Sequence, residues 1–353
     1  MSDLHRAALP ALGAAILFGA STPFAKQLIG DGFDLSFPFL LAGLLYLGSG
    51  LGLTFTRLVR DRGWKSVQMP PHEWPWLLGA IVFGGMLGPL LLMVGISHTT
   101  AATASLFLNL ESVLTAMLAW FVFKENTDRR IVLGMVLIVA GGAVLAWPTG
   151  DTSASTLGPL ALAGACLAWA IDNNLTRKVS ASDALVIAGS KGLVAGCVNT
   201  ALAFVLGASL PTVQLLSYAL VIGYLGYGLS LVLFVLALRG LGTARTGAYF
   251  STAPFVGAAI SIFVFAEPTS TSFWMAAALM GAGVWLHLTE HHTHDHEHVD
   301  LRHGHKHKHD AHHQHSHEFE WNGIEPHSHV HNHAALMHHH AHFPDIHHRH
   351  EHP

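Results

Sequence analysis

Charged side chains are scarce in this chain. Asp, Glu, Lys and Arg make up 11% of its 353 residues, whereas hydrophobic residues make up 51%. A soluble globular protein typically has about 25% charged residues. The few charges are also uneven, because residues 291–353 form a polar tail that holds 25 of the 29 histidines. The composition therefore excludes an ordinary soluble domain and predicts a membrane protein with a polar extension.

Cysteine is rare, and so is histidine outside the tail. The two cysteines, Cys166 and Cys197, lie in apolar runs, and we predict that they pack as small hydrophobic residues without a disulfide. Before residue 287 there are only three histidines, His5, His72 and His98. Because transition metals favour imidazole and thiolate ligands, the apolar part of the chain offers little for a transition-metal path.

The patterns of several other function classes are missing. The sequence has no nucleophile–base pair, no phosphate-cradling glycine loop and no metal-hydrolase spacing. Its basic residues are few and spread over loops, which argues against nucleic-acid binding. We therefore predict a protein that is not an enzyme, requires no cofactor and does not bind nucleic acid.

Ten apolar runs are long enough to cross a membrane, which takes about 20 helical residues. They cover residues 8–28, 36–56, 74–96, 101–122, 131–148, 158–176, 184–207, 215–237, 246–265 and 272–289. Lys and Arg concentrate in every second connection, and such residues mark the cytoplasmic side of a membrane protein. We therefore expect a multi-pass protein of the inner cell membrane with both termini and the tail in the cytoplasm.

One segment occurs twice in the chain. FVFKENT at 121–127 returns as FVFAEPT at 263–269, and the same register aligns Ala102 with Ala244. An internal repeat of this kind determines the architecture. Basic residues in and after the first copy have no counterpart in the second, so the two loops are expected to face opposite sides of the membrane. The sequence thus predicts two halves of opposite orientation, an arrangement common in secondary transporters.

Further motifs carry a resemblance to a known family. The run TAATASLFLNLES from Thr100 to Ser112 is followed by FKE at 123–125 and by GMVLIVAGG at 134–142. Together they resemble the EamA domain of the drug/metabolite transporter (DMT) superfamily, and the second half resembles another EamA domain. The chain departs from the family pattern where it has Glu111-Ser112 in place of Glu-Pro.

The resemblance implies an all-α membrane protein of ten transmembrane helices, arranged as two inverted five-helix repeats, that moves small solutes by alternating access. We expect a cytoplasmic N-terminus at 1–7, EamA-like repeats at 8–148 and 157–289, and a His-rich tail at 290–353. The tail is too polar to build a core, so we expect it to be disordered on its own.

Polar residues within the predicted helices are candidates for a solute site, since such residues are costly in a membrane and usually face the interior. Asp172-Asn173-Asn174 interrupts the sixth helix, and Ser21 is placed opposite it by the repeat. We predict a buried ion pair between Asp172 and Lys191, with a purely structural pair as the alternative. The full set of predicted solute-binding residues is Asp172, Asn173, Lys191, Glu111, Asn109 and Ser21. Four aromatic residues, Trp169, Tyr224, Tyr227 and Tyr249, are interpreted as lipid-facing belts in preference to cavity walls.

Imidazoles are densely spaced through the tail. The predicted metal ligands are His291, His292, His294, His296, His298, His303, His305, His307, His309, His312 and His313. Neutral imidazole suits zinc, nickel, copper and similar ions, so we predict that the tail binds divalent metal, with zinc, nickel and cobalt as candidates. A low-complexity tail without a cellular role and the docking of protonated histidines on anionic lipid remain the alternatives.

Two functions stay open at this point. In the first, the chain is a secondary transporter of a small polar organic solute, and its tail binds metal. In the second, a divalent transition metal (Ni, Co or Zn) is itself the cargo. The expected partners are membrane lipid, a small solute and divalent metal ions, and a homodimer is the assembly we consider.

Overall fold

The computed structural model describes residues 3–29, 36–66, 69–123, 129–147, 156–180, 182–289, 293–298, 301–307, 327–333 and 336–341. The chain divides into two compact units, Met1–Glu290 and His291–Pro353. The first unit is helical throughout its described residues, apart from short connections and turns.

The described residues of the first unit form ten helical segments. The first five are α1 (Asp3–Ile29), α2 (Ser36–Asp61), α3 (71–97), α4 (Ala101–Phe107 and Leu110–Phe123) and α5 (Arg129–Ala146). The second five are α6 (Leu157–Val179), α7 (Ala184–Val205), α8 (213–250), α9 (Ala253–Phe263) and α10 (Thr271–Leu288). Within the described residues, nine stretches are long and apolar enough to span a membrane. The tenth helix is α6, which the polar run Asp172-Asn173-Asn174 makes less apolar than the others.

Several helices begin after a residue whose side chain caps them. The side chains of Thr100, Thr212 and Ser270 accept hydrogen bonds from amides in the first turns of α4, α8 and α10. Such side chains satisfy amides that have no partner within the helix. In an apolar medium every backbone polar group must be satisfied within the fold, which favours continuous helices.

Irregular helix geometry recurs at one offset. A π-helical turn occupies Ile81–Leu87 in α3 and Gly223–Leu229 in α8, so the two turns begin 142 residues apart. The repeated FVF segments, at 121 and 263, have the same offset. Helices α5 and α10 also have this offset, because their first residues are 142 positions apart and so are their last residues. The repeat is therefore structural, and it includes departures from α-helix geometry that composition alone does not explain.

The two repeats pack through small residues at equivalent positions. Gly50 of α2 and Gly192 of α7 are 142 residues apart, and a Cβ on Gly192 would meet the backbone nitrogen of Gly50. Between α5 and α10 the contacts are reciprocal: a Cβ on Gly134 would lie 2.9 Å from the carbonyl oxygen of Gly283, and a Cβ on Gly141, which is equivalent to Gly283, would lie 3.1 Å from that of Ala276, which is equivalent to Gly134. Small residues allow this close approach of helix backbones in a membrane. Equivalent residues that contact each other indicate a two-fold relation between the halves, in the manner of an isologous interface.

Two expectations differ from the structure in this unit. The sequence predicts a connection between residues 237 and 246. In the structure these residues are helical, since one helix runs over Ser230–Phe250 and ends before α9. Cys166 is buried as expected, whereas Cys197 is exposed on α7. An apolar run contains both inward and outward positions, and only packing against neighbouring helices separates them.

The described residues of the tail unit form four short strands, β1 (Thr293–His298), β2 (Leu301–His307), β3 (His327–His333) and β4 (Leu336–Ala341). β1 pairs with β4 and β2 pairs with β3, both antiparallel. The alternation of histidine with other residues has the period of a strand, in which successive side chains lie on opposite faces.

Candidate functional site

A cavity of about 60 Å³ lies between the two repeats. Helices α1, α2 and α4 of the first repeat and α6, α7 and α8 of the second contribute to it. Its lining residues are Phe18, Tyr46, Glu111, Trp169, Asp172, Asn173, Lys191, Tyr227, Ser230, Leu231, Phe234 and Phe250. The structure therefore brings four of the six predicted site residues together around one space.

Asp172 and Lys191 form an ion pair on the cavity wall. Lys191 Nζ donates to both carboxylate oxygens of Asp172, each at 2.6 Å. Thr176, one turn further along α6, donates its hydroxyl to Asp172 Oδ1 at 2.8 Å. Lys191 is 2% exposed, so its charge is removed from solvent, and its ion-pair partner among the described residues is this carboxylate. The pair joins α6 to α7, and its role in binding a solute stays a prediction.

Glu111 brings a second carboxylate to the same cavity. Asn173 Nδ2 donates to Glu111 Oε1 at 2.8 Å and approaches Thr115 Oγ1 at 3.4 Å. Glu111 lies in the first turn of the helix Leu110–Phe123, where the helix dipole favours a negative charge. The cavity thus has two carboxyl groups and one ammonium on its walls.

The other two predicted residues lie outside the cavity lining. Asn109 occupies the interruption of α4, where its side-chain amide donates to the Leu106 carbonyl oxygen at 3.0 Å and approaches Met280 Sδ at 3.8 Å. Ser21 donates to the Phe18 carbonyl oxygen at 2.6 Å within α1. Both residues satisfy local backbone groups, which is a common use of short polar side chains in helices.

Ser21 and Asp172 nevertheless occupy equivalent places in the two repeats. Gly84 in the π turn of α3 lies directly against the Asp172 carboxylate, and Gly226 in the π turn of α8 lies against Ser21. Since these glycines are 142 residues apart, the contacts support the alignment of Ser21 with Asp172. The charge at this position therefore belongs to one repeat only.

The π turn of α3 binds two side chains of the cavity wall. The Gly84 carbonyl oxygen accepts hydrogen bonds from the Tyr46 hydroxyl at 2.6 Å and from Trp169 Nε1 at 3.1 Å. In α8 the equivalent carbonyl of Gly226 accepts from the Ser230 hydroxyl. A π turn changes the hydrogen-bond pattern of a helix and is frequent at functional sites. Here it orients two aromatic side chains beside Asp172.

The interpretation of the aromatic residues as lipid-facing belts is wrong for Trp169 and Tyr227. Both are buried, and both line the cavity. Phe18 packs edge-on against Trp169 with ring centres 5.6 Å apart, and Tyr46 approaches Tyr227 at 5.3 Å. Sequence reasoning missed Phe18 and Tyr46 because an aromatic residue in an apolar helix has the same pattern whether it faces lipid or a cavity.

The arrangement offers groups that can bind a solute. Carboxylates, an ammonium and an amide can orient a charged or polar solute, while the aromatic rings surround its apolar part. Among the described residues, no group of three or more His, Cys, Asp or Glu side chains is placed to hold a metal ion.

Known proteins resemble the chain over most of its length. An uncharacterised transporter of Methanothermobacter thermautotrophicus is 28% identical over 291 residues, which covers 77% of this chain and 83% of that protein. A probable 4-amino-4-deoxy-L-arabinose-phosphoundecaprenol flippase subunit ArnE of Pseudomonas aeruginosa is 39% identical over 116 residues. That match covers 31% of this chain and 96% of the subunit, so the subunit corresponds to about one repeat.

A solved crystal structure and a family profile complete the comparison. The crystal structure aligns with a TM-score of 0.61 at 20% identity and covers 80% of this chain and 95% of the other; at that identity it shows the fold alone. The profile of the EamA-like transporter family matches residues 5–147 and again residues 156–289. The two matches together span most of the chain, one over each helical repeat. This chain therefore belongs to the EamA-like transporter family.

Proposed function

We propose that the chain is a secondary transporter of a small polar organic solute, and that the cavity around Asp172, Lys191 and Glu111 is its solute site. The observation that carries this proposal is the buried ion pair between Asp172 and Lys191. Removing two charges from water is expensive, and ionisable residues inside membrane helices usually mark a transport path. Because both repeats line the cavity, movement of one repeat against the other would expose it to alternate sides.

Transition-metal transport is the second candidate, and the site favours it less. Asp172 and Glu111 could offer oxygen ligands, but the ammonium of Lys191 lies 2.6 Å from both oxygens of Asp172. A cation of the same sign would be repelled at that distance. An organic solute with its own charged and polar groups meets no such conflict.

The ArnE relative points to a lipid-linked solute as a further class. Its name describes it as a probable subunit of a flippase for an amino sugar carried on a phosphorylated lipid. The cavity of about 60 Å³ in this chain is small, and aromatic rings line its walls, which supports a small free solute instead.

Reconstitution tests the proposal. Purified protein in liposomes loaded with a metabolite extract would be assayed by mass spectrometry for the solutes that it moves. We expect Asp172→Asn and Lys191→Met each to lower the initial transport rate about tenfold or more. The reason is that a loss of about 1.4 kcal/mol of interaction free energy corresponds to a tenfold change. The matched control is Asp183→Asn, which removes one partner of the exposed Arg60–Asp183 pair. Wild-type rates in both cavity variants would overturn the proposal, as would an equal loss in the control.

We further propose that the tail binds divalent zinc, nickel or cobalt. The backbone register supports this, because β1 pairs with β4 so that His294 is opposite His340 and His296 is opposite His338. Directly opposite residues of an antiparallel pair have Cβ atoms about 5 Å apart. In the other ladder His303, His305 and His307 are opposite His331, His329 and His327. His291, His292, His309, His312 and His313 lie outside the described residues.

Equilibrium dialysis of the full chain against a version that ends at Glu290 would test the tail. The full chain is expected to retain several equivalents of metal that the shortened chain lacks. Equal metal content in the two would refute the proposal. Transport of the organic solute by the shortened chain would separate the tail's role from that of the membrane unit.

The proposed orientation has both termini in the cytoplasm. It rests on the basic connections after α2, α4 and α6, which have no counterpart after α1, α3 and α9. Single cysteines at Ser66 and at Ser270, in a background without Cys166 and Cys197, would report it. We expect a membrane-impermeant thiol reagent added outside intact cells to label position 270 and not position 66.

A further inference from the structure

A second cavity lies at the end of α2, beside the basic loop that follows it. It measures about 110 Å³, and its walls come from α2, from the loop and from the first turns of α7. Its polar side chains are Thr54, Arg57, Trp64, Lys65 and Ser190. The two cavities have no lining residue in common. The second cavity is therefore separate from the proposed solute site.

The charged side chains that line this cavity are both cationic. Arg57 Nη2 donates to the Lys65 carbonyl oxygen at 2.8 Å, and its guanidinium lies 5.9 Å from the ring centre of Trp64. Arg57 Nε is buried and makes no hydrogen bond to any described residue, although Asp61 Oδ2 is 3.5 Å away. Asp61 itself is hydrogen-bonded to Arg60. Asp61 is thus shared between Arg57 and Arg60, so the walls of the cavity keep a net positive charge.

The surroundings of the cavity are apolar and face outward. On α2 the side chains of Leu51 and Phe55 are 54% and 69% exposed, and on α7 Val194 is 43% exposed. Trp64, at the mouth of the cavity, is 74% exposed. Tryptophan is enriched where a membrane meets water. A basic recess with an indole at its edge and apolar helix faces beside it matches a phosphate that carries acyl chains better than a soluble anion.

We propose that this cavity binds the headgroup of an anionic phospholipid, with Arg57 and Lys65 as ligands of its phosphate. Guanidinium groups bind phosphate through paired hydrogen bonds, and basic recesses between membrane helices recognise acidic headgroups. The acyl chains would lie along the groove between α2 and α7, over Phe55 and Val194. Bound there, the lipid joins one helix of each repeat at a place where the repeats pack closely.

Native mass spectrometry of the full chain tests the proposal. The protein would be purified in detergent with an equal mixture of phosphatidylglycerol and phosphatidylcholine, and retained lipids would be counted. The wild type is expected to retain phosphatidylglycerol preferentially. The double variant Arg57→Gln/Lys65→Gln is expected to lower that retention about tenfold or more. Each basic residue near an anionic lipid surface contributes about 1 kcal/mol of binding free energy, and the variant removes two of them.

Two further variants distinguish a specific binding site from non-specific electrostatic attraction. Gly189→Leu fills the cavity without changing charge, and its Cβ would meet only Leu53 Cβ, at 3.7 Å; it is expected to lose the lipid as well. The control Arg62→Gln/Arg130→Gln removes the same charge at exposed positions outside the cavity and is expected to retain the lipid. Loss of lipid in the control, or full retention in Gly189→Leu, would overturn the proposal.

A thermal-shift arm distinguishes a lipid from free phosphate. Phosphatidylglycerol is expected to raise the unfolding temperature of the wild type, and millimolar inorganic phosphate is expected to leave it unchanged. An equal rise in unfolding temperature with inorganic phosphate would show that the cavity binds a soluble anion and not a lipid. If Arg57→Gln prevents folding, Lys65→Gln alone and Gly189→Leu keep the test decisive.

Discussion

The Glu267 carboxylate holds the amide of Ala102 at the start of α4. Ala102 N donates to Oε2 at 2.8 Å, and Ala101 N donates to Oε1 at 3.1 Å. Glu267 belongs to the second copy of the repeated FVF segment, whereas α4 belongs to the first repeat. The first amides of a helix lack intrahelical partners, and the helix N-terminus favours negative charge. The glutamate of the repeated segment therefore caps a helix of the other repeat.

Replacing Glu267 by Ala should destabilise the protein by about 1 kcal/mol, the typical loss for a helix cap. Glu267→Gln should cost less, because an amide oxygen can still accept one of the two hydrogen bonds. Thermal unfolding of the purified protein in detergent would measure both. An unfolding temperature unchanged in Glu267→Ala would show that the cap contributes no stability.

The Asp172–Lys191 pair predicts that substitutions at the two positions change the free energy of unfolding non-additively. Lys191→Met leaves a buried carboxylate without its partner and should cost about 3–5 kcal/mol. The double variant Asp172→Asn/Lys191→Met removes both charges and should recover much of that loss, while transport stays lost. Denaturation of the two single variants and the double variant forms the cycle that measures this coupling. A double variant as unstable as the sum of the single variants would contradict a direct interaction.

Gly84 should not tolerate a methyl group. An added Cβ would overlap the Asp172 carboxylate, which Lys191 holds in place. Overpacking of this kind typically costs about 1–3 kcal/mol, so Gly84→Ala should unfold at lower temperature. Gly247→Ala is the matched control, since a Cβ there meets nothing within 4 Å and alanine is the better helix former. Equal stability of the two variants would argue against the close contact.

Asp183 predicts a pH-dependent link between α2 and α7. Burial raises its pKa, but hydrogen bonds from Arg60 and from the Leu185 amide outweigh this effect and hold the pKa below the ordinary value of 3.8. A carboxyl group with a lowered pKa in the folded state stabilises the protein above the unfolded pKa. That stabilisation is lost as the pH falls through the folded pKa.

Comparison of the wild type with Asp183→Asn isolates this charge, because asparagine is also a good N-cap residue. The wild type should be the more stable at pH 7, by a modest amount since the ion pair is partly exposed. The difference should shrink below about pH 4. A difference that persists at pH 2 would show that the carboxylate charge is not its cause.

Much of the architecture could be predicted from the sequence, for a physical reason. A lipid environment requires about 20 apolar residues per helix and penalises charge, so the helices and their repeat are visible in composition and register. Asp172 and Lys191 were likewise visible, because ionisable residues stand out in apolar runs.

Only the tertiary structure decided which faces of those helices meet. The cavity walls of Phe18 and Tyr46, the burial of Trp169 and the exposure of Cys197 depend on packing between distant helices, which hydropathy does not encode. The π turns at Ile81–Leu87 and Gly223–Leu229 were also invisible, since a single extra residue in a helical turn leaves no compositional mark. The sequence by itself determined that this chain crosses the membrane in two related halves. Packing decided where the halves enclose a charged space.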